Sequence, residues 1–553
     1  MADRRVKPSE IQPSLPVDDI VVSGPVDPES IEMDVLFVGG GPAGLAGAIE
    51  LARLVQQDNE SGNGLGEVAI AVLEKSETLG EHCLSGAIIN PVVFQHLFPD
   101  ITDEDFPFFQ VVENDKVYFL TERGSFRIPT PPTMHNKGYY SASLSEVVRW
   151  LGEKAEQLGV NVFPGFPAER LLVNGDQVIG VRTVASGLDR NGSETANYMP
   201  PTDIVAKITA LAEGTRGALS QAFLEWQKIG SPNPQIFALG VKELWEVKEP
   251  LRSVVHTMGW PLSQDVFGGS FMYPQGENLV SLGLVVGLDY RDASLDVHEL
   301  LQRMKGHPLF EKQLTGGEVV EWGAKTIPEG GYYSLPTRFH GDGVLLLGDA
   351  IGLVNVPALK GIHYAMQSGV FAARVIFESL KQCDYSTRQL GRYDDLLRGS
   401  YVIRDLRKTR NMRLAFKDGF AIGAVKAGLM TVTGGAFPGS RIFMERDADI
   451  VRKLGHSGEF APDGEMTFSK VDSVFKSGNV TRDTIPSHLT VGSEVTEEVA
   501  RFYERMCPAG VYEWVDGELR VNAPNCVDCK ATDILGPRWS PREGGSGPKY
   551  KRM

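Results

Sequence analysis

The sequence has few cysteines, no long apolar run and fewer basic than acidic residues. No stretch of about 18 or more uncharged apolar residues occurs, so we expect no transmembrane helix. Residues 1–20 have no apolar core and include acids, which argues against a secretory signal or a transit peptide. Without an export signal, the five cysteines are not expected to form disulfides. The net charge of −16 argues against nucleic-acid binding.

The chain does have the length and composition of a soluble protein with several domains. Its 553 residues are 42% hydrophobic and 23% charged. Residues 1–30 are polar and contain several prolines, so we expect them to be a poorly ordered lead-in.

A glycine-rich motif organises the first predicted unit. Val35–Val38 is apolar and predicts a buried parallel strand, and Ala46–Leu54 predicts a helix. Between them, Gly39, Gly41 and Gly44 have GxGxxG spacing. In this pattern the first glycine permits the tight turn, the second lets a pyrophosphate approach the backbone, and the third lets helix and strand pack closely. The N–H groups at the helix start then face the phosphate oxygens.

The residues that follow distinguish this motif from a glycine-rich surface turn. A second predicted strand, Val68–Leu73, ends at Glu74, an acid placed to accept hydrogen bonds from ribose hydroxyls. The predicted strand Ile204–Leu211 leads into the small residues of AEG (212–214), as expected for a chain that returns to the same sheet. The order of strand, glycines, helix and acid therefore favours a dinucleotide site.

Two further segments favour FAD over NAD. The loop 79–91 is suited to pass a cofactor ring, where Ser85 and Gly86 supply small size and backbone donors. The predicted strand Val344–Leu347 ends before Asp349, whose carboxylate is placed to accept a hydrogen bond from a ribityl hydroxyl. A flavin has both a ribityl chain and a diphosphate, so the two segments together indicate FAD.

The region from 240 to 335 differs in composition from the dinucleotide unit. It contains HTMGWPL (256–262), GGSFMYP (268–274) and LVSLGLVVGLDY (279–290), which are rich in aromatic residues, valine and glycine. These segments predict an antiparallel sheet that covers the active site.

A basic run precedes an apolar, glycine-containing segment at 416–439. That segment is interrupted by charges and cannot span a bilayer, but it is suited to lie in the membrane interface. The alternative is a buried helix with a solvated basic face. The basic residues, which we expect to point toward lipid phosphates, are Arg404, Arg407, Lys408, Arg410 and Arg413.

Three cysteines lie together near the C-terminus. Cys526 and Cys529 form a CxxC, and Cys507, followed by Pro508, lies nineteen residues upstream. This pattern favours iron and sulfide over zinc; a redox dithiol and three unliganded cysteines are the alternatives. Cys83 has no CxxC partner and is predicted to be a packed thiol.

Together these motifs resemble those of electron-transfer flavoprotein:ubiquinone oxidoreductases and the wider FixC-like flavoproteins. The resemblance extends from about residue 31 to 553. It is carried by GGGPAGL (39–45), HTMGWPL, GGSFMYP, NVPALKGIHYAMQSG (355–369), CPAGVYEW (507–514), NCVDCK (525–530) and GGSGP (544–548).

The resemblance implies a mixed α/β fold with three functional domains. These are a GR2-type, Rossmann-like FAD-binding domain, an antiparallel-sheet quinone-binding domain and a C-terminal ferredoxin-like iron–sulfur domain. The implied boundaries are 31–130, 200–235 and 336–400 for FAD, 131–199 and 236–335 for the quinone, 401–444 for the membrane-facing segment, and 445–553 for the iron–sulfur domain.

The family's site residues carry over by position. They place the flavin on Gly39, Gly41, Gly44, Glu74, Ser85, Gly86, Asp349 and Gly361. They place the quinone headgroup on Gly268 and Gly269, and a [4Fe–4S] cluster on Cys507, Cys526 and Cys529. The resemblance implies an enzyme on the cytoplasmic side of the inner or cytoplasmic membrane. It would accept electrons from reduced electron-transfer flavoprotein and reduce ubiquinone or another quinone, without a catalytic acid–base pair or nucleophile.

Three positions depart from the family pattern. The motif CxxCxxC would put a fourth cysteine at position 532, where this chain has Thr532. A [4Fe–4S] cluster with an oxygen or solvent ligand, a [3Fe–4S] cluster and a lost cluster are all open, and some cluster is favoured because three ligand positions remain. Ala531 replaces a threonine that can donate toward the cluster, which leaves Tyr512 as a possible donor. The loop 127–138 is shorter and less apolar than the family's membrane-facing segment.

Two other functions remain compatible with these departures. One is a FixC-like or geranylgeranyl-reductase-like FAD oxidoreductase without a functional cluster. The other is a membrane-peripheral assembly factor that keeps FAD as a structural group.

Overall fold

The computed structural model describes residues 5–62, 64–455, 458 and 460–553, and its framework is two large sheets. The first has nine strands: Val21–Ser23, Ile31–Val38, Ile70–Glu74, Asn161–Pro164, Ala168–Asn174, Gln177–Thr183, Asp203–Leu211, His340–Gly341 and Val344–Leu346. Its central strands are parallel, because Ile31–Val38 pairs in parallel with both Ile70–Glu74 and Asp203–Leu211. Their carboxyl ends therefore meet at one edge, where an α/β sheet binds its ligand.

Two long helices, Pro42–Glu60 and Ile362–Gln382, pack together beside this sheet. Their backbones cross closely: a Cβ built on Gly369 would lie 2.1 Å from the carbonyl oxygen of Ala43. The crossing holds the starts of both helices at the carboxyl edge of the sheet, next to the loops that carry the predicted flavin residues.

The second sheet has seven strands and is mainly antiparallel, as the aromatic and glycine-rich segments predict. The pair Asp115–Leu120 and Val254–Gly259 is parallel. The strands, in sheet order, are Glu318–Pro328, Phe237–Glu246, Leu279–Gly287, Gly268–Pro274, Val254–Gly259, Asp115–Leu120 and Ser125–Ile128.

Sheet membership differs from the predicted division of the first two domains. The strands of 161–183 belong to the nine-stranded sheet rather than to the quinone-binding unit, and 115–128 belongs to the seven-stranded sheet rather than to the FAD-binding unit. The chain thus passes between the two sheets earlier than predicted. This division depends on pairing between strands that are far apart in the sequence, and no local sequence pattern reveals that pairing.

The C-terminal module packs against the seven-stranded sheet through a shared apolar core. Its helices and strands are Arg452–Lys453, Lys470–Lys476, Leu489–Thr490, Glu497–Met506, Tyr512–Val515, Glu518–Val521, Ala531–Leu535 and Arg538–Trp539.

The N-terminal segment is ordered from residue 5, so the predicted poorly ordered lead-in is wrong for the described residues. Arg5–Val6 pairs with Arg452–Lys453, and Val6 is fully buried. The side-chain amide of Gln12 donates to the carbonyl oxygen of Asp533 at 3.0 Å. These contacts join residues more than 400 positions apart, which composition alone does not reveal. Residues 1–4 lie outside the described residues.

The remaining elements connect these units. The strands are Ile88–Ile89, Phe108–Val111, Tyr140–Ala142, Ser186–Leu188 and Glu194–Met199. The helices are Pro8–Ile11, Val17–Ile20, Val92–Leu97, Leu144–Gln157, Ala218–Trp226, Val297–Lys305, Pro308–Leu314, Thr387–Leu390, Arg392–Arg398, Tyr401–Lys408 and Phe420–Val432. Among the described residues, none of the helices has both the length and the apolar character needed to cross a membrane.

Candidate functional site

A cavity of about 400 Å³ opens at the carboxyl ends of the parallel strands, between the two sheets. One side consists of the loops after those strands, and the other of residues 240–242 and 325–327 with Phe271 and Tyr273 from the seven-stranded sheet. Seven of the eight predicted flavin residues line it: Gly39, Gly41, Glu74, Ser85, Gly86, Asp349 and Gly361.

The three glycines of the first loop differ in their surroundings. Gly39 has a φ of +117°, and a Cβ there would lie 2.3 Å from the carbonyl oxygen of Ala212. Gly44 lies outside the cavity, where a Cβ would lie 2.2 Å from the carbonyl oxygen of Gly39, so it permits close packing of helix on strand. A Cβ on Gly41 would meet no atom within 4 Å. The backbone at Gly41 therefore faces open space, as the approach of a diphosphate requires.

The Glu74 carboxylate is held in one orientation at the cavity wall. Its Oε2 accepts a hydrogen bond from the Gly40 N–H at 3.1 Å. Its Oε1 accepts from the N–H and the hydroxyl of Ser76, both at 2.9 Å. These donors preorganise an acceptor where the motif places the ribose hydroxyls.

Asp349 supplies a second carboxylate. Burial raises the pKa of Asp349 to about 6, while the nearby Lys325 acts in the opposite direction. A hydroxyl group that donates a hydrogen bond would stabilise a carboxylate in this environment, because the bond replaces one that burial removed from water.

The cavity is also lined by several lysines that were not predicted from the sequence. The Nζ of Lys242 donates to the carbonyl oxygen of Ser85 at 3.0 Å, and burial lowers the pKa of Lys242 to about 7. The Nζ of Lys360 donates to the Oδ1 of Asn136 at 2.6 Å, and burial lowers the pKa of Lys360 to about 8. The sequence does contain one signal for Lys242, because it is the single lysine of the largely apolar strand FALGVKELWE. A nearby anionic diphosphate would favour the charged form of such buried lysines, so the residues present fit FAD.

Gly268 and Gly269 lie outside this cavity, at the start of the strand Gly268–Pro274. Gly269 pairs with Val285, which lines the cavity. A Cβ on Gly268 would lie 2.2 Å from the carbonyl oxygen of Val285, and one on Gly269 would lie 2.5 Å from that of Thr257. The packing of neighbouring strands therefore requires glycine here whether or not a ligand binds.

The structure brings Cys507, Cys526 and Cys529 together around a second, buried cavity of about 10 Å³. Burial and the neighbouring Asp528 raise the pKa of Cys526 to about 12, and burial also raises the pKa of Cys507 and Cys529. Without a metal these groups are thiols at neutral pH, because a buried thiolate needs a compensating cation.

Backbone donors face all three sulfurs. The N–H groups of Ala509 and Val511 donate to Cys507, that of Asp528 donates to Cys526, and that of Ala531 donates to Cys529. Such hydrogen bonds stabilise thiolates and tune iron–sulfur clusters. The donor set therefore fits an iron–sulfur group at three positions.

Thr532 lies on the wall of the same cavity, at the fourth position. Its Oγ1 is 2.6 Å from the Tyr512 hydroxyl and 3.2 Å from the carbonyl oxygen of Pro537. The Thr532 hydroxyl is thus already hydrogen-bonded within the protein.

The cysteine loop shares a wall with the flavin cavity. The hydroxyl and the N–H of Thr326 donate to the carbonyl oxygen of Cys529, at 2.8 and 2.9 Å. Asp528 forms ion pairs with Lys75 at 2.5 Å and with Arg542 at 3.1 Å. Burial acts to raise the pKa of Asp528, but these cations outweigh it and hold the pKa well below its usual range.

Two predictions about single residues have opposite outcomes. Arg413 does not point toward lipid: it is buried and pairs with Asp289 at 2.8 Å and with Glu329 at 2.6 Å. The basic run that was predicted to face lipid therefore excludes its last residue, Arg413, which forms buried ion pairs. Cys83 is a packed thiol, and burial raises its pKa to about 12.

The fold, with its cavity at the carboxyl ends of the parallel strands, is of a class that FAD-dependent proteins share. Among solved structures, the fold is similar to a geranylgeranyl bacteriochlorophyll reductase-like protein from Thermoplasma acidophilum, with a TM-score of 0.55, 18% identity and coverage of 74% of this chain and 96% of that chain. It is also similar to the FAD-dependent myxobacterial chondrochloren halogenase, with a TM-score of 0.51, 19% identity and coverage of 82% and 98%.

The sequence comparisons identify the family. Residues 237–327 match the model "ETF-QO, ubiquinone-binding", and residues 464–551 match "Electron transfer flavoprotein-ubiquinone oxidoreductase, 4Fe-4S". The mitochondrial electron transfer flavoprotein-ubiquinone oxidoreductase of Arabidopsis thaliana is 38% identical over 95% of this chain and 85% of its own length. The Homo sapiens protein of the same name is 36% identical over 94% and 89%. The chain belongs to the electron transfer flavoprotein-ubiquinone oxidoreductase family.

Proposed function

We propose that this chain accepts electrons from reduced electron-transfer flavoprotein and reduces ubiquinone, using FAD and an iron–sulfur cluster. One observation carries the proposal: the wall between a cavity suited to FAD and a buried three-cysteine site is shared, through Thr326 and the carbonyl oxygen of Cys529. When bound, FAD supplies a centre that exchanges one or two electrons. The protein's part is to hold the cofactors, tune them and exclude water.

Each cofactor has its proposed residues. Gly39, Gly41 and Gly361 line the cavity with backbone, Glu74 would hold the ribose, and Asp349 would hold the ribityl chain. Ser85 and Gly86 line the same cavity, and Gly44 supports the loop by packing. Cys507, Cys526 and Cys529 would hold the cluster, which we propose to be of the [4Fe–4S] type.

The quinone end is proposed to lie at Gly268 and Gly269. Gly268 packs near Leu262, and Gly269 pairs with the cavity-lining Val285. Aromatic rings cluster near this strand start: Phe267 and Phe416 have centroids 5.0 Å apart, and Phe416 contacts Phe420. Apolar and aromatic side chains at this strand start suit a quinone ring and its hydrocarbon tail.

A membrane surface is the proposed source of the quinone. Helix Phe420–Val432 follows these aromatics and exposes apolar side chains, with Val425 at 66% and Val432 at 87% exposure. Exposed apolar residues on a helix beside cations favour an interfacial position. We propose peripheral attachment on the cytoplasmic side of the inner or cytoplasmic membrane.

The decisive experiment supplies purified holoenzyme with reduced electron-transfer flavoprotein and a short-chain ubiquinone analogue. We expect quinol to form, and no quinol formation would contradict the proposal. Leu262→Trp should raise the KM for the quinone by about tenfold and leave flavin reduction unchanged, because Leu262 lies next to Gly268 and a larger side chain would crowd the proposed quinone position. Leu396→Trp, at an exposed position of Arg392–Arg398, is the matched control.

Membrane attachment is tested separately, by flotation with phosphatidylcholine–phosphatidylglycerol vesicles. The double variant Val425→Glu and Val432→Glu should lose vesicle binding. Val471→Glu, which is 59% exposed on the C-terminal module, should retain it. Equal binding by all three proteins would contradict the proposed face.

A further inference from the structure

We infer that the cysteine site binds its cluster through three protein thiolates only, so that the iron facing Thr532 has a coordination position open to a small non-protein ligand. The inference rests on the proposed function, because it requires that a cluster is present. It concerns the one ligand position at which this chain differs from the family's motif.

The Thr532 hydroxyl is committed to the protein. The carbonyl oxygen of Pro537 accepts only, so Thr532 donates its single proton there, at 3.2 Å. Its oxygen then accepts the hydrogen bond from the Tyr512 hydroxyl, at 2.6 Å. Binding to iron as an alkoxide would require Thr532 to give up this proton and would leave the carbonyl oxygen of Pro537 without its donor. A neutral hydroxyl is also a poor ligand for iron in a sulfide-rich cluster, where thiolates are preferred.

The two other cysteines are placed elsewhere. The chain has five cysteines. Cys83 lines the flavin cavity, on the far side of the shared wall, and Cys383 is exposed at the end of helix Ile362–Gln382. Neither can supply the missing thiolate without refolding.

Within the part of the chain that the structure describes, the candidate metal-binding side chains beside the cysteines are already paired. His488 and Asp528 lie with Cys526 in one group whose candidate ligand atoms are within 4.8 Å of one another. Arg542, however, contacts both His488, at 3.0 Å, and Asp528, at 3.1 Å, and Lys75 also binds Asp528. Neither His488 nor Asp528 lines the cavity that Thr532 shares with the cysteines. The cations at this group oppose a metal ion there, and its position excludes it as the fourth ligand.

An open iron position has a defined chemical consequence. A one-electron oxidant such as ferricyanide removes one electron from a [4Fe–4S]²⁺ cluster, which then releases Fe²⁺ and leaves [3Fe–4S]¹⁺. A protein thiolate on every iron opposes this release, whereas an iron with only a small oxygen or thiol ligand is lost and regained. The ligand class is therefore water, hydroxide or a small thiolate.

The test uses the anaerobically purified full chain beside Thr532→Cys and Thr532→Val. Iron and sulfide are measured before and after one equivalent of ferricyanide, with EPR of the oxidised product and uptake of isotopically labelled Fe²⁺ on re-reduction. We expect the wild type and Thr532→Val to release one iron per cluster, show the [3Fe–4S]¹⁺ signal and take up one labelled iron. Thr532→Cys should keep all its iron.

Three outcomes would overturn the inference. If the wild type keeps its iron as firmly as Thr532→Cys, the fourth position is occupied. If Thr532→Val loses a cluster that the wild type retains, Thr532 is a ligand. If even Thr532→Cys binds no iron, the cluster assignment in the proposed function fails as well, and quinone reduction by the iron-free protein would then indicate a flavin-only oxidoreductase.

Discussion

The flavin cavity and the cysteine site are built in opposite ways. The cavity, of about 400 Å³, draws its lining from many segments between residues 38 and 541. The cysteine site, of about 10 Å³, lies within one module and is lined by three thiols and by the hydroxyl residues Tyr512 and Thr532. Binding energy at the cavity is spread over backbone groups, carboxylates and lysines, whereas the described residues that line the cysteine site include no fourth thiol. Single substitutions should therefore weaken the first site and abolish the second.

The largest effect is expected at the cysteines. Cys529→Ala should lose essentially all cluster iron, because the two remaining thiolates cannot hold the cluster. Iron analysis and the visible absorbance of the protein provide the measurement, and FAD content should be unchanged. Cys383→Ala, at an exposed cysteine, is the control and should keep its iron. Retention of half or more of the iron by Cys529→Ala would remove the contrast between the two sites.

A graded loss is expected at the cavity. Gly41→Ala should leave folding intact, because a Cβ there meets no atom of the protein within 4 Å. The methyl group should nevertheless obstruct the diphosphate and weaken FAD binding by about tenfold. Titration of the apo-protein with FAD measures this, with Gly230→Ala, another position with no atom within 4 Å, as control. Unchanged affinity in Gly41→Ala would refute the proposed diphosphate position.

The Asp349 carboxyl should show opposite effects on stability and on binding. Burial raises its pKa from 3.8 to about 6 in the folded protein, so the folded state binds more protons than the unfolded state between these values and loses stability as pH rises. Asp349→Asn should therefore stabilise the apo-protein by up to about 3 kcal/mol at pH 7, since one pKa unit corresponds to about 1.4 kcal/mol, and by less as pH falls toward 4. It should also bind FAD more weakly.

Urea unfolding of the apo-protein at several pH values measures the stability, and FAD titration measures the affinity. A variant that is less stable than the wild type at pH 7 would show that Asp349 has a partner in the cofactor-free protein.

The smallest effect is expected at the wall that joins the sites. Thr326→Val removes the hydroxyl donor to the carbonyl oxygen of Cys529 but keeps the backbone N–H donor. We expect a loss of about 1 kcal/mol in the free energy of unfolding. Thr315→Val, whose exposed hydroxyl donates to Glu311, should cost less. Equal costs for the two variants would show that the shared wall contributes no special stability.

The sequence predicted the features that depend on neighbours along the chain. The strand, glycines and helix of residues 35–54 form one local unit, and Glu74 is the last residue of the next strand, so spacing alone located both. The aromatic and glycine-rich segments between 240 and 335 predicted the antiparallel sheet, and spacing located the three cysteines, which the structure brings together. Their spacing is itself a local signal, since two of them lie in one CxxC.

The features that the sequence did not reveal depend on distant pairing. Lys242 faces the cavity because its strand is positioned by partners on both sides, and a lysine in a strand could equally have faced solvent. Arg413 appears to continue a basic surface in sequence but pairs with Asp289 and Glu329, more than 80 positions away. The strand Arg5–Val6 finds its partner near residue 452 for the same reason.

The strand Glu318–Pro328 sets the distance between the two sites. Its residues 325–327 line the cavity, while Thr326 also holds the cysteine loop. One residue along a strand is about 3.3 Å, and a slip of one residue also turns each side chain to the opposite face. Loops around the sites can lengthen or shorten without changing their separation, but an insertion in this strand cannot. The distance that an electron must cross therefore depends on how the backbone of this strand is paired. Substitutions of side chains do not change that pairing register.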